Sequence, residues 1–134
     1  MISKKIGVAK GFQNSINIAY DLHNDEKVKG FIPTLSALDV IEDVLLSTAP
    51  TSSQRARILI GAYGRGKSHI ILVLMSLLHN KDASLFSALL NKMGEANPEL
   101  LNYAKSYIES DQKLLPIIVR GSSSSLTQSF LSAL

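Results

Sequence analysis

One short segment of the sequence carries the clearest chemical signal. Residues Gly61-Ala62-Tyr63-Gly64-Arg65-Gly66-Lys67-Ser68 match G-x-x-x-x-G-K-[ST], the Walker A or phosphate-binding loop pattern. Glycines allow the backbone to curl so that successive N–H groups face one point. A helix that begins at the end of such a loop directs further N–H donors and partial positive charge to the same point. The segment therefore predicts a site for nucleotide phosphates.

The residue types assign a role to each part of this motif. The Lys67 ammonium is long enough to contact the β- and γ-phosphates, and the Ser68 hydroxyl is suited to ligate Mg²⁺. We therefore expect ATP and Mg²⁺ as cofactors and Ser68 as the metal ligand. The predicted nucleotide-binding set consists of Gly61, Ala62, Tyr63, Gly64, Arg65, Gly66, Lys67, Ser68 and His69.

The flanking sequence indicates the elements that would position the loop. Ala56–Ile60 has the pattern of a short strand buried on both faces, and Lys67–Leu78 that of a helix buried nearly all round. Leu114–Val119 is predicted to be a second buried strand. Strands that alternate with helices favour a parallel sheet covered on both faces. The predicted fold class is therefore α/β, a P-loop NTPase with a parallel sheet flanked by helices.

Further helices are predicted from apolar spacing and from capping residues. The first two are Phe12–Leu22 and a helix after Pro33 that is capped by Ser36 with Asp39. The next two are Asp82–Lys92, with Gly94 as its stop, and a helix that begins at Asn97-Pro98 and runs to about Ile108. The last begins at Leu126, is capped by Ser125 with Gln128, and is expected to continue to Leu134.

Composition narrows the class of protein. The chain has 134 residues, 46% of them hydrophobic, and a net charge of +3. These values are typical of one folded domain and permit a nucleotide or nucleic-acid partner. The absence of cysteine excludes a disulfide framework and a thiolate metal site. The longest apolar run, Ile70–Met75, is far shorter than a membrane span, so we expect no membrane association and a cytoplasmic location.

Other candidate groups are weaker. His69 is expected to pack or to be exposed rather than to contact the nucleotide, and Tyr63 to pack against the preceding helix rather than to stack on a base. Arg65 is equally compatible with phosphate contact and with solvent exposure. The carboxylates of Asp39, Glu42 and Asp43 have the spacing of a solvated helix face.

A catalytic acid is missing from the sequence. Hydrolysing P-loop enzymes place a carboxylate at the end of a second strand to hold Mg²⁺ and orient water. The segment Leu114–Val119 is instead followed by Arg120-Gly121. We therefore identify no catalytic residue and no Walker B motif, and we expect this chain alone to hydrolyse ATP negligibly.

The region around the loop resembles the large bacterial ATPases of the BrxC/PglY type from phage-defence (BREX) systems. The similar features are Arg57–His69 running into an apolar helix, the upstream Phe31-Ile32-Pro33-Thr34, and the downstream Leu115–Val119 with Leu126–Leu131. Ala62 and Arg65 depart from that family's usual loop residues. The resemblance, over about residues 30–134, implies an AAA+-like module of the additional-strand type. It also implies a longer, homo-oligomeric ATP hydrolase that acts with DNA and partner proteins.

This interpretation predicts a lead-in over residues 1–30 and the N-terminal part of an ATPase domain over 31–134, incomplete at its C-terminus. Two alternatives stay open. One is a nucleotide-binding switch or scaffold without hydrolysis. The other is a small-molecule P-loop kinase, which the long segment before the loop disfavours.

Overall fold

The computed structural model describes residues 15–79, 82–119 and 125–134, and the regular structure in these ranges is helical. The helices are α1 (Ile18–Asp21), α2 (Asp25–Lys29), α3 (Leu35–Ser47), α4 (Lys67–Leu78), α5 (Ser87–Ala96), α6 (Pro98–Glu109) and α7 (Leu126–Leu131), with a 3₁₀ turn at Ala83–Phe86 before α5. The described part of the chain contains no β-strand. The predicted α/β fold with a parallel sheet is therefore wrong.

Both predicted strands are irregular segments, and the physical reason is the absence of a pairing partner. Ile58 and Ile60 are each 87% exposed, so Ala56–Ile60 is not buried on two faces. The Leu114 N–H donates to the Leu78 carbonyl at 2.9 Å, which ties the second segment to the end of α4. An apolar run becomes a strand only where a neighbouring strand accepts its backbone hydrogen bonds. Neither segment has such a neighbour among the described residues.

Helix α4 is the central element, and its predicted bounds are confirmed. It packs against α1, α2, α3 and α6. Leu72, Val73 and Leu77 are almost fully buried there. The opposite side of α4 is not enclosed, since Ile71, Met75 and Leu78 line an open groove of about 550 Å³ beside α3. The prediction of burial nearly all round is therefore correct for one side only.

Helix α3 contacts α4. The apolar spacing of its sequence predicts one face formed by Leu38, Ile41, Leu45 and Leu46; the first three are buried in the core, whereas Leu46 is 49% exposed. The N-cap of α3 is Thr34, whose hydroxyl accepts from the Ala37 N–H at 3.2 Å, and not Ser36. Extended backbone at Thr34 lets its side chain reach the first turn of the helix.

Helices α5 and α6 pack against each other and contribute Leu89, Met93, Leu100 and Ala104 to the core. The Asn97 side chain accepts from the N–H groups of Glu99 and Leu100 at 3.1 Å each, as the Asn97-Pro98 signal predicts. Gly94, predicted as a stop, lies inside α5. The buried contacts of Leu89, Met93 and their neighbours outweigh the low helix propensity of one glycine.

The N-terminal segment packs on the loop-bearing helix. Helix α1 covers only Ile18–Asp21, much less than the predicted Phe12–Leu22, and residues 12–14 lie outside the described ranges. An ion pair holds this short helix in place. It joins Asp21 and Lys27 at 2.6 Å, and their side chains are only 12% and 10% exposed. This pair fixes α1 and α2 against each other, and both contact α4.

At the other end, α7 is capped by Ser125 as predicted, but it ends at Leu131 and does not continue to Leu134. The sequence Gly121–Ser124 also predicts a turn after the second segment, but these residues lie outside the described ranges. No helix in the described ranges has the length and apolarity needed to cross a membrane.

Candidate functional site

The phosphate-loop motif folds into a turn that runs directly into α4. Gly64 and Gly66 both have a φ of 77°, in the left-handed region that side chains other than glycine rarely adopt. Gly66 is the N-cap of α4, and its carbonyl accepts from the N–H groups of His69 and Ile70 at 3.0 Å each. Gly66, which the motif requires, and Gly64, at a position that the motif leaves open, therefore both adopt a backbone conformation that favours glycine.

Lys67 folds back over this loop. Its Nζ donates to the carbonyls of Gly61 and Ala62 at 2.6 Å each. A Cβ at Gly61 would lie 3.5 Å from the Lys67 Cδ, so the lysine stem runs close along the start of the loop. The ammonium is thus held at the loop by two neutral acceptors. A phosphate oxygen, which carries charge, is the stronger acceptor for an ammonium.

The loop backbone offers unused donors. Across residues 63–68, no backbone N–H has an acceptor among the described residues. Three of these positions, Gly66, Lys67 and Ser68, are at the N-terminus of α4, where the helix dipole adds partial positive charge. Exposed N–H groups and a helix N-terminus form an environment that attracts an anion.

The surroundings of the loop are electropositive. A cavity of about 460 Å³, which we call the loop cavity, is lined by Ser15, Ile16 and the residues from Tyr63 to His69. Arg65 and Lys67 contribute cationic groups to it, whereas no Asp or Glu lines it among the described residues. The arrangement therefore suits a polyanion, and the described lining offers no carboxylate to orient water.

The site could hold Mg²⁺ only together with a ligand. Ser68 is exposed in the first turn of α4, next to Lys67. In residues 15–79, 82–119 and 125–134 there is no group of three or more His, Asp or Glu side chains that could hold a metal ion. Mg²⁺ ordinarily keeps waters and phosphate oxygens as most of its ligands. The exposed Ser68 hydroxyl, next to a loop with unused N–H donors, fits that pattern.

His69 joins the loop to the N-terminal segment. Its Nε2 lies 2.6 Å from the Lys27 carbonyl, and because a carbonyl only accepts, Nε2 is the donor. Its ring also meets the Phe31 ring edge-on, with centroids 5.1 Å apart. Of the two outcomes expected from the sequence, packing and exposure, the structure shows packing; contact between His69 and a nucleotide stays a prediction.

The Lys27 side chain extends the same network. The hydrogen bond from its ammonium holds the pKa of Asp21 below its usual range, against the opposing effect of burial. Asp21 also accepts from the Asn17 N–H at 2.7 Å. The wall of the site contributed by the N-terminal segment is therefore held by a partly buried, charged network.

The remaining sequence candidates lie apart from the loop or make other contacts. Tyr63 is 99% exposed, so the prediction that it packs against a preceding helix is wrong. Asp43 pairs with Arg57, whose guanidinium lowers the pKa of that carboxyl. Glu42 accepts from the Asn97 amide at 3.0 Å. These carboxylates serve α3 and its neighbours and do not approach the loop cavity.

Sequence reasoning missed the contribution of Ser15 and Ile16 to this site. They reach the loop through the packing of α1 and α2 on α4, a contact between segments far apart in the sequence. No local pattern in the sequence marks such a contact.

Comparison of the chain with protein-family models, with curated proteins and with solved structures found no match. The resemblance to the large BREX ATPases therefore depends on the motif residues alone.

Proposed function

We propose that this chain binds Mg²⁺-ATP through the loop Gly61–Ser68. The observation that carries the proposal is the loop's unused N–H groups at residues 63–68, with the Lys67 ammonium folded over them. Backbone donors contact the phosphates, Lys67 contacts the β- and γ-phosphates, and Ser68 ligates Mg²⁺. Each role follows from the chemistry of a group at the loop.

The alternative favoured by a specific observation is binding without turnover. Hydrolysis needs a carboxylate to orient water and to help hold the metal. The described residues that line the loop cavity include no Asp or Glu. We therefore propose that this chain acts as a nucleotide-binding element, and that turnover requires a carboxylate supplied from outside the residues that line the loop cavity.

The wider role we propose comes from the motif resemblance. It is a module of a bacterial phage-defence or DNA-processing ATPase in the cytoplasm, where ATP binding is coupled to work on DNA or partner proteins. A net charge of +3 is compatible with such anionic partners.

Hydrogen exchange tests the nucleotide site directly. Saturating Mg²⁺-ATP should slow exchange at least about tenfold in a peptide covering residues 61–70, because phosphates bind its free N–H groups. A peptide covering residues 98–109 in α6 is the internal control and should not change. Equal exchange in both peptides with and without Mg²⁺-ATP would refute the proposed function.

A further inference from the structure

A second cavity shares part of its wall with the loop cavity. It has a volume of about 230 Å³. Its walls come from Ile16, the Phe31-Ile32 segment and Ile70 of α4, and we call it the Ile32 cavity. The two cavities share Ile16, Arg65, Gly66 and His69 as lining residues. A ligand held by its phosphates at the loop could therefore extend into the Ile32 cavity.

The chemistry of this cavity differs from that of the loop. Its walls are mainly aliphatic and aromatic, and two of its polar side chains already have partners. The Thr34 hydroxyl accepts from the Ala37 N–H at 3.2 Å, and His69 Nε2 donates to the Lys27 carbonyl at 2.6 Å. Apart from Arg65, the Ile32 cavity thus offers a ligand mainly apolar surface.

The volume of the Ile32 cavity is compatible with a bicyclic aromatic group. An enclosed apolar cavity of about 150 Å³ already admits benzene. The Ile32 cavity is larger, at about 230 Å³, and is not enclosed. Small-molecule sites are typically apolar clefts with a few polar groups that fix the orientation of the ligand. Here Arg65, which lines both cavities, is the polar group at their junction.

We infer that the Ile32 cavity is the site for the purine base of the nucleotide whose phosphates the loop binds. This inference rests on the proposed function. The base contacts Ile16, Ile32 and Ile70, and the pocket selects weakly between adenine and guanine. An apolar pocket cannot strongly reject a ligand of similar shape. Strong rejection needs polar groups in the pocket that bond one base and would lose their partners when the other base binds.

The pocket wall is held before any ligand binds. The Asp21–Lys27 ion pair is nearly buried, and the Lys27 carbonyl is fixed to His69 of α4. The Phe31 ring lies against His69 as well. A preformed pocket costs little ordering on binding, so contact with the base adds directly to affinity.

The test compares Mg²⁺-tripolyphosphate, Mg²⁺-ATP and Mg²⁺-GTP on the full chain by calorimetry. The variant is Ile32→Ala, at a residue that is 62% exposed and so of small consequence for folding. Leu35→Ala is the matched control, since Leu35 is 63% exposed and lines neither of the two cavities.

We expect ATP to bind at least about tenfold more tightly than tripolyphosphate, and GTP within about tenfold of ATP. Ile32→Ala should weaken ATP binding about fivefold and leave tripolyphosphate binding unchanged, whereas Leu35→Ala should change neither.

Two different failures are distinguishable. Equal affinity for ATP and tripolyphosphate, or an Ile32→Ala variant that binds ATP as well as Leu35→Ala does, would overturn the base site and leave the phosphate site intact. A preference for ATP over GTP far beyond tenfold would overturn the weak selection. Absence of binding by all three ligands would overturn the proposed function and the base site together.

Discussion

Replacement of Gly66 by alanine tests the conformation of the phosphate loop. Gly66 has a φ of 77°, and a Cβ built there meets no heavy atom within 4 Å. The cost of Gly66→Ala is therefore backbone strain alone, about 1–2 kcal/mol for an L residue in the left-handed region. The lower entropy of the unfolded chain offsets about 0.4–1 kcal/mol of this strain. We expect the free energy of unfolding to fall by about 1 kcal/mol, measured by urea denaturation.

Gly94→Ala is the control, because it makes the same chemical change inside helix α5. Alanine is favoured over glycine there by about 1 kcal/mol, less the cost of moving the Leu101 Cδ2 atom. That atom would lie 3.2 Å from the new Cβ. The variant should be as stable as the parent chain or more stable. Gly66→Asn should lose less than Gly66→Ala, because asparagine tolerates the left-handed region. A Gly66→Ala variant that gains stability would refute the loop conformation.

Three further predictions concern the helix cap, the buried ion pair and turnover. Asn97→Ala should lower the free energy of unfolding by about 1–2 kcal/mol in urea denaturation, because it removes the α6 cap and the hydrogen bond to Glu42; a loss below about 0.3 kcal/mol would contradict the cap. The pKa of Asp21 is lowered in the folded state, so its stabilisation is complete above about pH 5 and is lost as the pH falls through the folded pKa. Denaturation curves from pH 7 to pH 2 should show a smaller decline for Asp21→Asn than for the parent chain, and equal declines would contradict this role. The purified chain should hydrolyse ATP negligibly in a phosphate-release assay. Turnover of about 1 per second that Lys67→Ala abolishes would contradict the proposal that the chain binds ATP without hydrolysing it.

Local signals predicted the helices best. Lys67–Leu78 matches α4 in both bounds, and Asn97-Pro98 marks the start of α6. In each case the evidence is contained in a few adjacent residues: apolar side chains at helical spacing, or a side chain that caps its own helix. Such features need no knowledge of the rest of the chain. Where two possible capping residues lie close together, the sequence does not decide between them: Thr34 caps α3, whereas Ser36 was predicted.

The predicted strands were wrong because their formation depends on distant partners. The run Ile58-Leu59-Ile60 has the apolar character of a buried strand, yet Ile58 and Ile60 are 87% exposed. A short apolar run has no periodicity that separates a strand from an irregular segment. Pairing decides the outcome, and no local pattern shows that Leu114 bonds to the end of α4 instead.

The candidate site likewise has one part that a local motif predicts and one part that depends on packing between distant segments. The loop residues of the proposed site could be predicted from the motif, since its glycines and lysine have the types and spacing that phosphate binding requires. The wall formed by Ile16 and Ile32 could not, because it reaches the loop only through the packing of the N-terminal helices on α4. Sequence reasoning noted Phe31–Thr34 as a feature of the resemblance but assigned it no contact with the loop.

Calorimetric titration with Mg²⁺-ATP tests the central claim most directly, using the parent chain, Lys67→Ala and Lys105→Ala. Lys67 contacts the loop, whereas Lys105 is exposed on α6. Loss of one charged phosphate contact is worth about 1.5–3 kcal/mol, which corresponds to roughly ten- to hundredfold in affinity. We predict this loss for Lys67→Ala and parental affinity for Lys105→Ala. Equal affinity of all three proteins for Mg²⁺-ATP would contradict the assignment of Gly61–Ser68 as a phosphate site.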